Sequence, residues 1–212
     1  MFAARNVMFT AGVAKKSYSY TFSGTTKPAA IIDIAINTGA GATTVSGGVI
    51  REGNSTAKDG TYHTASIWGV RMGTSYYRSI VTSGNLNSTN RLIGVGMSDA
   101  TGQNIVYCVV PSQNAGYTSA IITRIAGGAR MNRSTSTSTY VNGTQTVALV
   151  PTISAGIYTY TVYVNNVAKF SWTDNNSAFG TPGKYPCGIF GHIYSSAQYV
   201  SPGISAYAAA DI

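Results

Sequence analysis

Six side chains could carry acid–base chemistry as carboxylates: Asp33, Glu52, Asp59, Asp99, Asp174 and Asp211. Glycoside hydrolysis needs two carboxyl groups flanking one bond. The single glutamate here runs into Gly-Asn-Ser-Thr, with no second acid nearby in sequence. Asp33 sits in IIDIAI among apolar residues, where a turn or partner contact is expected sooner than a substrate. The two histidines are His63 and His192. No G-x-S-x-G elbow accompanies them, and no strand–turn–helix is in sight to hold one. Cys108 in NIVYCVV and Cys187 in YPCGIF stand in apolar contexts without metal-ligand spacing, as buried free thiols or as a pair. Cys187 and His192 are five apart, which puts them on opposite faces of a strand. The Gly-rich pieces GAGATT and AGG lack the lysine and following helix of a phosphate loop. Neither an enzyme nor a cofactor is expected.

Binding chemistry is better represented. Fifteen tyrosines supply large, rigid rings with one polar end, the side chain favoured at interfaces and under sugars. Trp68, Tyr76, Tyr77 and Arg78 are the candidate carbohydrate- or partner-binding residues, an aromatic group beside a guanidinium. The competing reading places Trp68 and Trp172 in the core, where alternate aromatics on strands usually go. Calcium-dependent sugar binding needs clustered oxygen ligands; Asp174-Asn175-Asn176 is the one similar run, and three residues do not make a site.

The elements that must position these residues are strands. Charged residues make up 9% of the 212 residues and hydrophobic ones 44%, with 24 glycines. This is neither a helical composition nor a disordered one. Runs rich in Thr, Tyr and Val recur at 17–22, 30–36, 47–51, 63–71, 76–82, 91–97, 104–110, 118–126, 139–150, 156–174, 186–195 and 203–210. Turn chemistry such as SGTTKP, GNSTAKDG and TSGNLNSTN separates them. No helical period appears. The pattern predicts an all-β antiparallel sandwich, with the continuous apolar runs at 30–36 and 104–110 as central strands covered on both sides. ARMNRSTSTSTYVNG (129–143) reads either as a half-polar strand or, preferred here, as a long loop leading into a strand.

The clearest element is GIYTYTVYVNNVAKFSWTD (156–174). Asn165-Asn166 suits a type I′ turn, because asparagine tolerates the positive φ required at both central positions. Strict pairing then sets Val164 against Val167, Tyr163 against Ala168, Thr161 against Phe170 and Thr159 against Trp172. Alternation places Ile157, Tyr163, Ala168, Phe170 and Trp172 on one face, and Tyr158, Tyr160, Val162 and Val164 on the other. With neither face polar throughout, the hairpin is expected inside the sandwich, away from a bare edge.

YTVYVNNVAKFSWTD resembles the x-V-Y-x-N-G-x-x-x-x-x-W-x-D hairpin of concanavalin A-like (laminin-G-like) jelly rolls. The ending VSPGISAYAAADI, with Pro202-Gly203-Ile204 and Ala210-Asp211, is similar to that of minor tail proteins from actinobacteria-infecting phages. Asn166 stands where glycine is usual and Tyr207 where tryptophan is usual. The resemblance implies a jelly roll over 17–212, preceded by a short N-terminal arm (1–16) able to dock on a neighbour. It also implies a virion structural protein, a minor tail protein that contacts host-surface glycans. Its partners would be other virion proteins, itself and a host cell-wall glycan. A head decoration protein and a stand-alone carbohydrate-binding module are the alternatives. Glucanases of this architecture carry an E-x-D-x-x-E strand, which is absent here.

The net charge is +8, compatible with nucleic acid, an anionic bacterial surface or acidic neighbours. The 14 basic residues are scattered, with only Lys15-Lys16 adjacent, so no nucleic-acid role is expected. Residues 1–13 lack a signal-peptide core, and no apolar stretch is long enough to span a bilayer. Synthesis in a host cytoplasm, release by lysis and residence in a virion are the expectation.

Overall fold

In the computed structural model the described residues are 14–35, 42–52, 62–74, 77–83, 91–112, 119–175, 183–192 and 203–212. They form fifteen strands and no helix: β1 (Ser17–Thr21), β2 (Ile31–Ala35), β3 (Thr43–Ser46), β4 (Val49–Glu52), β5 (Tyr62–Trp68), β6 (Tyr77–Ser83), β7 (Arg91–Ser98), β8 (Ile105–Pro111), β9 (Ala120–Ala126), β10 (Ala129–Ser136), β11 (Thr146–Ser154), β12 (Ile157–Val164), β13 (Val167–Thr173), β14 (Tyr185–His192) and β15 (Ile204–Asp211).

Two antiparallel sheets result. The first runs β13-β12-β11-β6-β15-β4-β3, and the second runs β10-β9-β8-β7-β14-β5-β2. In the first sheet one side of β15 is divided between two strands. β1 pairs with it from Ala206 to Ala210 and β4 at Ile204. Alternation turns Tyr18, Tyr20 and Phe22 inward from this segment, onto Trp68 of the second sheet. The main core fills the space between sheets, with Val81, Leu149, Val162, Ile93, Val95, Val106 and Cys108. A second apolar cluster covers the outer side of the second sheet, with Leu92, Ile105, Tyr107, Val109, Cys187 and Ile189. β8 therefore buries every residue, as its continuous apolar run predicts.

The run at 30–36 behaves differently. β2 is the last strand of its sheet, and Ile32 is 53% exposed. Its apolar run ends at an edge because Asp33 turns inward, where its carboxylate accepts from Thr43 N (2.7 Å) and Thr43 Oγ1 (2.6 Å) of β3. That contact ties the edges of the two sheets together. β3 corresponds to none of the strand runs expected from sequence, its first two residues closing the glycine-rich piece GAGATT. Residues 129–136 are a strand rather than a loop: Gly127 and Gly128 (φ +56° and +82°) turn the chain so that β10 pairs back on β9. An edge strand needs no apolar face, which is why its polar composition reads as loop. The strand expected at 139–150 begins only at Thr146.

The hairpin has the expected turn, with φ of +49° at Asn165 and +64° at Asn166. Its register departs after two pairs. Val164 faces Val167 and Tyr163 faces Ala168, but Val162 then faces Phe170, Thr161 faces Ser171 and Tyr160 faces Trp172. Lys169 is the additional residue of a β-bulge, which moves all that follows to the opposite face. Phe170 and Trp172 consequently join Tyr160 on the core side, and Tyr163 is left on the outer side. The hairpin also lies at the edge of its sheet, because β13 is the terminal strand.

Candidate functional site

Of the aromatic and basic candidates, Trp68, Tyr77 and Arg78 do not come together on one surface. Trp68 is 1% exposed, its ring packed among Tyr18, Tyr20, Phe22 and Tyr207 at centroid distances of 4.9–6.0 Å. Along β6 burial alternates strictly, sending Tyr77 into the core and Arg78 outward. Trp68 and Tyr77 are thus core residues with no ring face for a sugar. Tyr76 lies outside the described residues. Among the described candidates Arg78 alone is presented on a surface.

That surface is the outer face of the first sheet. Register places Arg78, Ile80 and Thr82 of β6 there, beside Ala206, Ala208 and Ala210 of β15 and Ser17, Ser19 and Thr21 of β1. On the other flank stand Ala148 and Val150 of β11, then Thr159, Thr161 and Tyr163 of β12. Alanine and hydroxyl side chains keep this floor low, so the few larger residues form walls. Arg78, Val150, Tyr163 and Asn166 line a depression of ≈ 440 Å³. A second recess of ≈ 300 Å³ follows Ser17, Ser19, Ile80, Ala208 and Ala210. The hairpin turn fixes the wall of the first. Asn165 Oδ1 accepts from Thr146 N (3.0 Å), and Arg78 Nη2 donates to Asn166 Oδ1 (2.8 Å). A half-buried tyrosine ring beside a guanidinium and an amide is suited to stacking on a sugar ring while bonding its hydroxyls. Tyr163 and Asn166 escape sequence reasoning because the asparagines read as turn formers and the bulge that parts Phe170 and Trp172 from the face of Tyr163 has no sequence mark.

A second aromatic group lies at the sheet margin. Tyr158, Tyr160 and Trp172 stack in a row at 5.9 and 5.7 Å, and Arg133 of β10 lies 5.8 Å from the Trp172 ring. With Ser134 Oγ donating to Ser171 O (3.0 Å), this row joins the edges of the two sheets.

The described aspartates are engaged in holding chain segments. Asp211 accepts from Lys16 N (2.8 Å), Gly73 N (3.1 Å), Thr74 N (3.3 Å) and Thr74 Oγ1 (3.2 Å). Burial alone would raise its pKa, but these donors outweigh it and the value is lowered. Asp99 is likewise lowered: the bonds from Asn104 and Thr101 overcome the opposing effect of burial. Asp33 pairs with Lys27 at 2.7 Å besides its bonds to Thr43. Asp174 donates its N–H to Tyr158 O at the end of β13. Among the described residues no three His, Cys, Asp or Glu side chains gather into a metal-binding group. Cys108 and Cys187 are free and buried on opposite faces of the second sheet, which settles against a pair. By backbone register His63 stands opposite Gly191 and His192 opposite Tyr62.

No family model matches the chain, and no curated protein matches its sequence. Solved structures do match in fold. The basic winged bean lectin with Tn-antigen aligns over 93% of this chain and 98% of its own, at 8% identity and a TM-score of 0.57. The CBM2 module of the Lactobacillus casei BL23 phage J-1 evolved Dit aligns over 93% and 97%, at 10% identity and 0.54. The carbohydrate-binding module CBM66 from Bacillus subtilis aligns over 84% and 91%, at 13% identity and 0.51. The chain has the lectin-like, concanavalin A-like jelly-roll fold.

Proposed function

We propose that this protein is a glycan-binding structural component of a phage virion, a minor tail protein whose lectin-like sandwich contacts host-surface glycans without catalysis. The observation that carries the reading is the depression lined by Arg78, Val150, Tyr163 and Asn166, open on a broad sheet face of a fold used by lectins and carbohydrate-binding modules. The phage Dit module of the same fold supports a phage setting, and the resemblance of the C-terminal segment supports a tail one. In this reading residues 17–212 are the sandwich, and residues 1–16 form an arm that docks on a neighbouring virion protein or a second copy. Lys16, just before β1, exchanges backbone and carboxylate bonds with Asp211. The protein is made in the host cytoplasm and reaches the surface in released particles.

Two experiments test this. Immunogold labelling of intact particles should place the protein at the tail tip; its absence from both intact and disrupted particles would reduce the reading to a free binding module. Against a glycan panel, Tyr163→Ala should lower affinity by roughly 1–2 kcal/mol, the loss of one stacked ring, with an unchanged melting temperature. Unaltered glycan affinity in that variant would remove the depression from consideration.

A further inference from the structure

The charge on this face narrows the ligand. The outer face of the first sheet carries Arg78 on β6 and, on the register of β4 against β3, Arg51 beside Thr44. Lys169 adds an exposed cation at the bulge of β13. The four aspartates whose side chains are described all lie elsewhere. Asp33 faces Thr43 and Lys27, Asp99 caps its own turn, Asp174 lies near Arg124 and Tyr160, and Asp211 is held by Lys16, Gly73 and Thr74. Apart from Ile80 and Val150, the remaining floor is alanine, serine and threonine, giving hydroxyl donors and acceptors without negative charge. A neutral sugar would gain nothing from this segregation. An anionic polymer would be attracted over the full width of the sheet and bonded by the guanidinium of Arg78, whose fork matches carboxylate and phosphate oxygens.

We propose that the face formed by Arg78, Tyr163, Asn166 and the hydroxyl-bearing floor binds an acidic polysaccharide, with the ring of Tyr163 against a sugar and Arg78 on its anionic substituent. This rests on the glycan-binding reading above and specifies its ligand class. Charge complementarity argues for the anion, and the half-buried tyrosine beside a hydroxyl-lined floor argues for a polysaccharide over a nucleic acid.

The test is affinity electrophoresis of the full chain through gels containing polygalacturonate, methyl-esterified polygalacturonate, amylose or DNA. Retardation is expected with polygalacturonate and not with the esterified polymer, whose backbone is the same but uncharged. Salt should weaken it. Arg78→Gln should weaken retention roughly tenfold, equivalent to about 1.4 kcal/mol. Thr161→Glu, which places a carboxylate on the same face without touching the Arg78–Asn166 bond, should act in the same direction. Ile32→Glu, on the second sheet, should have no effect. Equal retention by charged and esterified polymers, insensitive to Thr161→Glu, would overturn the acidic preference and leave glycan binding standing. Equal retention by DNA would make the face a general polyanion surface and overturn the proposal. Retention by no polysaccharide would remove the glycan reading itself.

Discussion

The phenol oxygen of Tyr207 in the first sheet lies 1.6 Å from where a Cβ at Gly188 in the second sheet would stand. Across the sandwich the tyrosine therefore ends directly on backbone, and only glycine fits beneath it. Gly188→Ala forces Tyr207 and Ile204, whose Cδ1 would be 2.7 Å away, to move within the core between the sheets. Chemical denaturation should show a loss of about 3 kcal/mol, at the upper end of ordinary overpacking. Tyr207→Phe combined with Gly188→Ala should recover part of it, because the two sites are in contact and their effects do not add.

The two tryptophans should separate in a melting experiment. Trp68 is fully enclosed by aromatic rings from β1 and β15, so Trp68→Ala should cost about 3–5 kcal/mol. Trp172 is half-buried at the margin, stacked on Tyr160 and covered by Arg133. Trp172→Ala should cost less, about 1–3 kcal/mol, because part of its area is already in water. Equal losses would mean that the edge row is as tightly closed as the centre.

Asp211 joins the end of β15 to Lys16 and to the segment at Gly73–Thr74. Its folded-state pKa is lowered relative to an unfolded carboxyl near about 3.9. Above the unfolded value both states are ionised and the clamp contributes fully. As pH falls through the lowered folded value the native carboxylate takes up its proton and the contribution is lost. Asp211→Asn should reduce stability at neutral pH by about 1–3 kcal/mol and flatten the loss of stability on acidification below about pH 4. Urea titrations of both proteins from neutral to acid pH give the comparison.

Alternation shows which residues share a face, but not which face is inward. Tyr77 and Arg78 were separable from sequence, yet only packing decides that Tyr77 is the core member. The same gap makes Trp68 a surface candidate until the inward rings of β1 are seen around it. The type I′ turn at Asn165-Asn166 was legible because positive φ restricts residue type so strongly. The bulge at Lys169 was not, since a bulge needs an additional residue and no particular side chain. That one residue places Trp172 with the core, on the opposite side from Tyr163, which alternation along β12 keeps on the outer face. Strand order also lies beyond local pattern, so β2 looked central by its apolar run and is an edge. Asp33 was the hint, a charge turned inward beside an edge.

Cys108 and Cys187 test the two-sided cover of the second sheet. Cys108 faces the main core and Cys187 the outer cluster, with β7 between their strands. Burial pushes the Cys108 thiol up to about 12 and raises that of Cys187 as well. Thiolate is the reactive form, so both should resist alkylation in the native protein at neutral pH. Iodoacetamide followed by mass spectrometry should find both unmodified without denaturant and both modified in its presence. A reducing agent should leave the melting temperature unchanged, as no disulfide joins them. Selective native-state labelling of Cys187 would show that the outer cluster opens independently, with Leu92, Ile105 and Ile189 reaching solvent while the core between the sheets stays closed.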